Sequence, residues 1–248
     1  MIGAIIAARM GSSRLPGKVM MTLGGKTMLE RTIDATLKSK VECVVVLTTS
    51  KEEDDPIRKR CAELGVSYVD GSNNRDLLGD FYTAATQYGF DPVVRVTADC
   101  PLLSPYVINS VINEYYNGCA YCSNIVNRTY PRGLDVEVFS YGALEWLHHS
   151  ITRNNRVVEN YHDDYRKHVT LYIREHSERF KTRYVEFNPS KLRLTVDTQD
   201  EYDKLAVVFD LLGDDATWFT AMGVVSQFPE FASFETEDSQ TTALGKVW

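Results

Sequence analysis

Residues 41–49 read Val-Glu-Cys-Val-Val-Val-Leu-Thr-Thr, a run dominated by β-branched residues with no polar–apolar alternation. A strand of that kind is buried on both faces, as happens in a parallel sheet covered by helices on each side. Two more segments read the same way: residues 2–7, and residues 92–96 with Val93-Val-Arg-Val96 at their heart. Helical spacing separates them. Met28, Leu29, Thr32, Ile33, Thr36 and Leu37 recur on one face within 27–39. Residues 54–64 carry Pro56 in a first turn, residues 76–88 stop near Gly89, and residues 105–116 are entered by proline. A short strand is expected at 66–69. Strand and helix in alternation predict an α/β fold, a Rossmann-like and mostly parallel sheet with helices on both faces.

The second half, from about 119 to 190, is less regular. Residues 134–139 alternate, with Leu134, Val136 and Val138 on one side and Asp135, Glu137 and Phe139 on the other. That pattern predicts a half-exposed strand, a surface available to a symmetric dimer. Residues 142–150 and 157–175 have helical spacing, 182–187 and 192–196 read as strands, and 199–212 and 217–228 read as closing helices. The acidic, polar stretch from about 229 to 248 is expected to be a loosely held tail on one domain spanning 1–248.

A net charge of −7 argues against bulk nucleic-acid binding, which needs a basic face, but leaves room for a local basic pocket. No apolar run approaches the length of a membrane span, and the opening residues form a strand and loop instead of a secretory leader, so a cytoplasmic protein is expected. The five cysteines are an odd number. Cys119 and Cys122 form a C-x-x-C without a second pair at zinc spacing, so free reduced thiols are expected.

In an open parallel sheet, ligands bind at the carboxyl ends of the strands. The first strand runs there into Ala8-Arg-Met-Gly-Ser-Ser-Arg-Leu-Pro-Gly-Lys18. The small residues Ala8, Gly11, Ser12, Ser13 and Gly17 let a ligand approach the backbone N–H groups. Arg9, Arg14 and Lys18 add positive charge suited to phosphate. The loop is neither of the common phosphate loops, since Val19 follows the lysine and no G-x-G-x-x-G is present. The segment from Thr97 to Leu103 leaves another central strand at the same edge. It brings Asp99, and the strand at 192–196 brings Asp197. Magnesium commonly takes one or two carboxylates together with phosphate oxygens, and these two aspartates are the candidates. Each has a plainer reading: Asp99 as a turn cap, Asp197 as a helix cap. Asp135 and Glu137 share a strand face that meets either substrate hydroxyls or solvent. His162 and His168 lack a third ligand at metal spacing, and Asp163 and Asp164 read as a solvated face.

The 7–18 segment resembles the signature of the CMP-sugar synthetases, the cytidylyltransferases that activate KDO and acylneuraminate sugars, and Leu23-Gly-Gly-Lys-Thr-Met28 is similar to its continuation. The segments Val96-Thr-Ala-Asp-Cys-Pro-Leu-Leu103, Tyr130-Pro-Arg-Gly-Leu-Asp-Val-Glu-Val-Phe139, Lys167-His-Val-Thr-Leu-Tyr-Ile173 and Leu194-Thr-Val-Asp-Thr-Gln-Asp-Glu-Tyr202 resemble the members linked to spore-coat polysaccharide synthesis. The resemblance spans 2 to roughly 210. It implies a nucleotide-diphospho-sugar transferase type of fold and transfer of CMP from CTP to a sugar. It also implies that Arg14 and Lys18 hold the triphosphate and that Asp99 and Asp197 bind Mg2+. Arg9, Thr97 and the small residues of the loop would then contact nucleotide, Arg132, Asp135 and Glu137 would meet the sugar, and a homodimer is expected. The sequence departs from its relatives at Asp80, where a basic residue is frequent, so contacts from that helix stay open.

Overall fold

The three apolar runs lie side by side at the centre of one sheet. The strands are β1 (Gly3–Ala7), β2 (Cys43–Thr49), β3 (Ser67–Gly71), β4 (Val93–Thr97), β5 (Tyr121–Ser123), β6 (Glu137–Phe139) and β7 (Thr182–Tyr184). They are ordered β3-β2-β1-β4-β6-β5-β7. The structure is a computed structural model that describes residues 1–72, 76–128, 130–151, 163–185 and 193–225. Strand β1 pairs in parallel with β2 and β4, so that Ala7 sits between Leu47 and Thr97; β1 and β4 end level with one another and β2 runs two residues further, to Thr49. Only β6 runs antiparallel to its neighbours, β4 and β5.

Alternate residues of the central strands feed two cores. Ala4, Ile6, Val44, Val46, Val94 and Val96 face one, covered by α1 (Met28–Leu37), α2 (Asp55–Leu64) and α4 (Pro105–Tyr115), with α8 (Gln199–Leu212) and α9 (Trp218–Val225) beyond. Ile5, Val45, Leu47 and Val93 face the other, covered by α3 (Leu77–Tyr88) and α5 (Tyr141–Ser150). Helix α1 begins with a capping box, in which the Thr27 hydroxyl accepts the Glu30 N–H at 3.2 Å while Glu30 accepts the Thr27 N–H at 2.7 Å. Helix α3 is capped by Asp76 and ends on Gly89 in the left-handed region, where a side chain would be strained.

The half-exposed strand expected at 134–139 is instead interior. The ladder takes only Glu137–Phe139, and all three residues are buried. Leu134, Val136 and Val138 enter the first core and Phe139 the second, so the alternation separates two cores and not core from solvent. The dimer surface expected there is therefore not available. Glu137 is 1% exposed. It stands directly across the ladder from Arg95, pairs with that guanidinium, and accepts the Tyr121 hydroxyl at 2.7 Å. The buried charge is tolerated because it is paired and hydrogen-bonded.

Burial acts to raise the Glu137 pKa, but Arg95 and Arg174, with the hydroxyls of Thr170 and Tyr121, hold it below its ordinary 4.5. A carboxyl lowered on folding stabilises the fold above that ordinary value and loses its contribution as pH falls through the folded pKa. Glu137→Gln, which leaves Arg95 without its anion, is expected to cost about 3 kcal/mol at neutral pH. Urea unfolding of both proteins between pH 7 and pH 3 checks this, and the difference should shrink in acid.

The helix expected over 157–175 is broken where it is described. Short helices α6 (Asp164–Lys167) and α7 (Leu171–Glu175) flank His168, whose backbone is extended. Leu171, Tyr172 and Ile173 are consecutive and all buried, which no single helical stripe allows. Of the strand expected at 192–196, the described part forms an isolated parallel bridge between Arg132 and Arg193. His162, residues 187 and 192, and the tail from 229 lie outside the described residues. Among the described residues, no helix is long and apolar enough to cross a membrane.

Candidate active site

At the carboxyl edge of β1 and β4, the loop after β1, the turn after β4 and the segment before α8 meet. Lys18 opens a short 3-10 turn after Gly17, whose φ of 73° sends the chain back toward the sheet. The lysine is buried. Its ammonium donates three hydrogen bonds: to Asp99 Oδ2 at 2.7 Å, to the Val196 carbonyl at 2.7 Å and to Asp197 Oδ1 at 2.8 Å. Burial opposes that charge, yet the attraction of Asp99 and Asp197 outweighs it and the pKa is raised above the ordinary 10.5. Asp197 shows the reciprocal effect. Burial would raise its pKa, but Lys18, then Arg14 and Arg193, pull it below 3.8.

Arg14 reaches Asp197 Oδ1 at 2.9 Å and is half exposed. Arg193 reaches Asp197 Oδ2 at 3.2 Å. Three cations thus converge on one carboxylate, and Arg14, the exposed member of the three, is free to turn its guanidinium to an anionic ligand. Neither aspartate acts as the ordinary cap it resembles in sequence. Thr198 caps α8, in a capping box with Glu201. Glu201 also accepts the Asp197 N–H at 2.7 Å and the Arg193 Nε–H at 2.9 Å, and so fixes both neighbours. Asp99 accepts the Thr97 hydroxyl at 2.6 Å on Oδ1, while its carbonyl takes the Val196 N–H at 3.1 Å and the Thr195 hydroxyl at 3.0 Å. The β4 exit and the approach to α8 are thereby stitched together.

A polar cavity of about 230 Å³ opens here. Arg14, Thr97, Asp99 and Asp197 line it, together with Arg132 and Asp135 from the segment that precedes β6. Arg128 grips Asp135 with two parallel bonds of 2.6 and 2.9 Å. Burial raises the Asp135 pKa, but Arg128, Arg132 and Arg95 bring it below 3.8, so the carboxylate stays ionised at neutral pH. Cys100 also lines the cavity. Burial, then Asp99, pushes its thiol well above the ordinary 9.0, which rules it out as a thiolate nucleophile near neutral pH.

The structure brings together Arg14, Lys18, Thr97, Asp99, Arg132, Asp135 and Asp197, all singled out in the sequence. Others stand apart. Glu137, expected beside Asp135 at a sugar, is turned to Arg95 and does not line the cavity. Ala8 is buried, and its N–H extends the sheet to the Leu47 carbonyl at 2.9 Å. The Ser12 N–H bonds the Met10 carbonyl at 2.8 Å. Arg9 and Gly11 lie exposed on the loop. Asp80, the departure from the relatives, accepts the Ser72 N–H at 2.7 Å beside the edge strand β3. Cys119 and Cys122 are free. Burial raises both thiols, Cys122 to about 12, so neither is a reactive thiolate.

Arg193, Thr195 and Glu201 were not anticipated. A period of two through 193, 195 and 197 places Arg193 and Thr195 on the face that carries Asp197, and the Thr198-x-x-Glu201 spacing is that of a capping box; these are the available signals.

The sequence pattern of one family, described as cytidylyltransferase, matches residues 3–210. An uncharacterised protein of Methanocaldococcus jannaschii is 38% identical over 224 residues, 85% of each chain. The spore coat polysaccharide biosynthesis protein SpsF of Bacillus subtilis is 29% identical over 219 residues, 85% of this chain and 87% of that one. A solved cytidylyltransferase from Leptospira borgpetersenii superposes with a TM-score of 0.84 at 32% identity, covering 96% of this chain and 98% of that one.

Proposed function

The chain belongs to the cytidylyltransferase family, and from that premise we propose that it transfers CMP from CTP to a hydroxyl of a 2-keto-3-deoxy sugar acid or related sugar, releasing pyrophosphate. The observation that carries this reading is the convergence of Lys18, Arg14 and Arg193 on Asp197 beside Asp99, at the strand edge where such sheets bind nucleotides.

Transfer of a phosphoryl group depends on placement and charge neutralisation more than on covalent chemistry. Arg14 would bind the triphosphate directly. Lys18, whose three N–H donors are taken by Asp99, Val196 and Asp197, would meet charge growing on the departing pyrophosphate through its field or by exchanging one of those partners for a phosphate oxygen. The Gly11 N–H, on the exposed side of the loop, is a further donor for phosphate oxygens. Thr97 orients Asp99 through its 2.6 Å hydroxyl bond. Also lining the cavity, the Arg132 guanidinium suits the carboxylate of a sugar acid, and Asp135, held ionised by Arg128, suits its hydroxyls. Glu137 would act from behind, by holding Arg95.

The donor set fits a divalent cation. Asp99 and Asp197 offer hard oxygens close enough to share one ammonium. Among the described residues no group of three His, Cys, Asp or Glu side chains could hold a metal alone; magnesium commonly takes one or two carboxylates together with phosphate oxygens. Asp99 and Asp197 would hold it, and when bound it supplies neutralisation of the phosphate charge.

Calorimetric titration of CTP, UTP, ATP and GTP with magnesium, on the native protein and on Asp99→Ala, tests the reading. Selective CTP binding, weakened in the variant, is expected, followed by pyrophosphate release when sugar acids are screened. Preference for another nucleotide, or release of a nucleotide in place of pyrophosphate, would overturn it.

A further inference from the structure

Asp54 is 1% exposed, and among the described residues its carboxylate meets no cation. It occupies the N-cap position of helix α2, where an aspartate ordinarily accepts an N–H of its own first turn. It makes no such bond. Its Oδ1 accepts the Met10 N–H at 2.7 Å, 44 residues away in sequence, and its Oδ2 accepts the Thr49 hydroxyl. The dipole of α2 favours negative charge at this end and helps keep the carboxylate there. The side chain has forgone the local bond that would stabilise its helix and reaches across to the loop after β1.

Met10 is the hub of that loop. Its carbonyl accepts the N–H groups of both Ser12 and Gly17 at 2.8 Å. Gly17 then begins the turn that drives Lys18 into the site. Between the two contacts to Met10 stands Arg14. Whatever holds the Met10 backbone therefore sets where both cations emerge.

We propose that Asp54 is a positioning residue for nucleotide binding, tethering the 9–18 loop through Met10 so that Arg14 and Lys18 are presented to the triphosphate; this rests on the CTP reading given above. The side chain touches no reacting group, and its effect is conveyed by the backbone of the loop.

Asp54→Ser separates this role from a purely structural one. Asp54 makes no cap bond to α2, so serine costs the helix no cap. It is one bond too short for Met10 and leaves that half-buried N–H without its acceptor, so the thermal midpoint falls in a protein that still folds. Asp54→Asn keeps an acceptor for the Met10 N–H and offers its amide to the Thr49 oxygen. Calorimetry with CTP and magnesium should show affinity reduced about tenfold in Asp54→Ser and restored to near the native value in Asp54→Asn. Amide exchange at Met10, measured without nucleotide, should be faster in the serine variant alone. Native binding of CTP with unaltered affinity in Asp54→Ser overturns the positioning role and leaves the CTP reading standing. A native protein that does not bind CTP overturns both. If Asp54→Ser unfolds, Thr49→Val, which removes the second anchor of the same carboxylate, is expected to weaken CTP binding in the same direction, and native affinity in that variant overturns the proposal.

Discussion

Lys18→Ala is expected to lower CTP-dependent pyrophosphate release by about a hundredfold, or about 2.7 kcal/mol of transition-state stabilisation. The loss is large because the ammonium is the most buried of the cations at the edge and is held by three acceptors, so no neighbouring side chain can substitute for it. The fold should survive. Asp197 keeps Arg14 and Arg193, and Asp99 keeps the Thr97 hydroxyl. Both carboxylates are also partly open to water, with side chains 26% and 19% exposed for Asp99 and Asp197. Steady-state pyrophosphate release and a melting curve on the same sample check the two halves of this expectation. Turnover near the native level in a folded variant would remove Lys18 from the mechanism.

Gly133→Ala should act on the fold itself. Gly133 has φ of +98°, and a Cβ built there would lie 2.4 Å from the Leu194 carbonyl carbon and 2.6 Å from the Thr195 nitrogen. Those are backbone atoms, which no rotamer change can move aside. The segment carrying Arg132 lies against the one carrying Arg193, with the Leu194 N–H bonded to the Arg132 carbonyl at 2.5 Å. A single methyl group would wedge them apart and strain the left-handed backbone as well. A loss of about 4 kcal/mol is expected, at the upper end for one substitution. Chemical denaturation measures it, and a change below about 1 kcal/mol would mean that the two segments part freely.

Much of this architecture is legible in the sequence because the central strands are buried on both faces. The runs at β1, β2 and β4 have no solvent side, so their apolar continuity is visible without knowledge of their neighbours. Lys18, Arg14, Asp99 and Asp197 are legible for a related reason, since the carboxyl edge of such strands is where ligands sit. What escapes is long-range pairing. Glu137 reads as a strand residue facing either substrate or solvent until the antiparallel ladder sets it opposite Arg95, 42 residues earlier. Asp54 reads only as the start of a helix over 54–64, because local spacing cannot reveal a bond to Met10. Arg193 passes unremarked within the strand expected at 192–196, and only the fold shows Asp197 and Glu201 gripping it.

One carboxylate belongs to two structures at once. Glu201 completes the first turn of α8 by accepting the Thr198 N–H at 3.0 Å, and it also anchors Arg193 and the backbone of Asp197. Helix ends ordinarily fray at little cost, because their first turn belongs to the helix alone. Here the first turn of α8 and the cation array share the Glu201 carboxylate, so the two are expected to open and close together. Opening of the α8 terminus would release Asp197, and with it the partner that Arg14 and Lys18 share. Hydrogen exchange at the first turn of α8 would therefore report the fraction of molecules whose nucleotide site is intact, and a bound triphosphate would slow that exchange at a helix it does not need to touch.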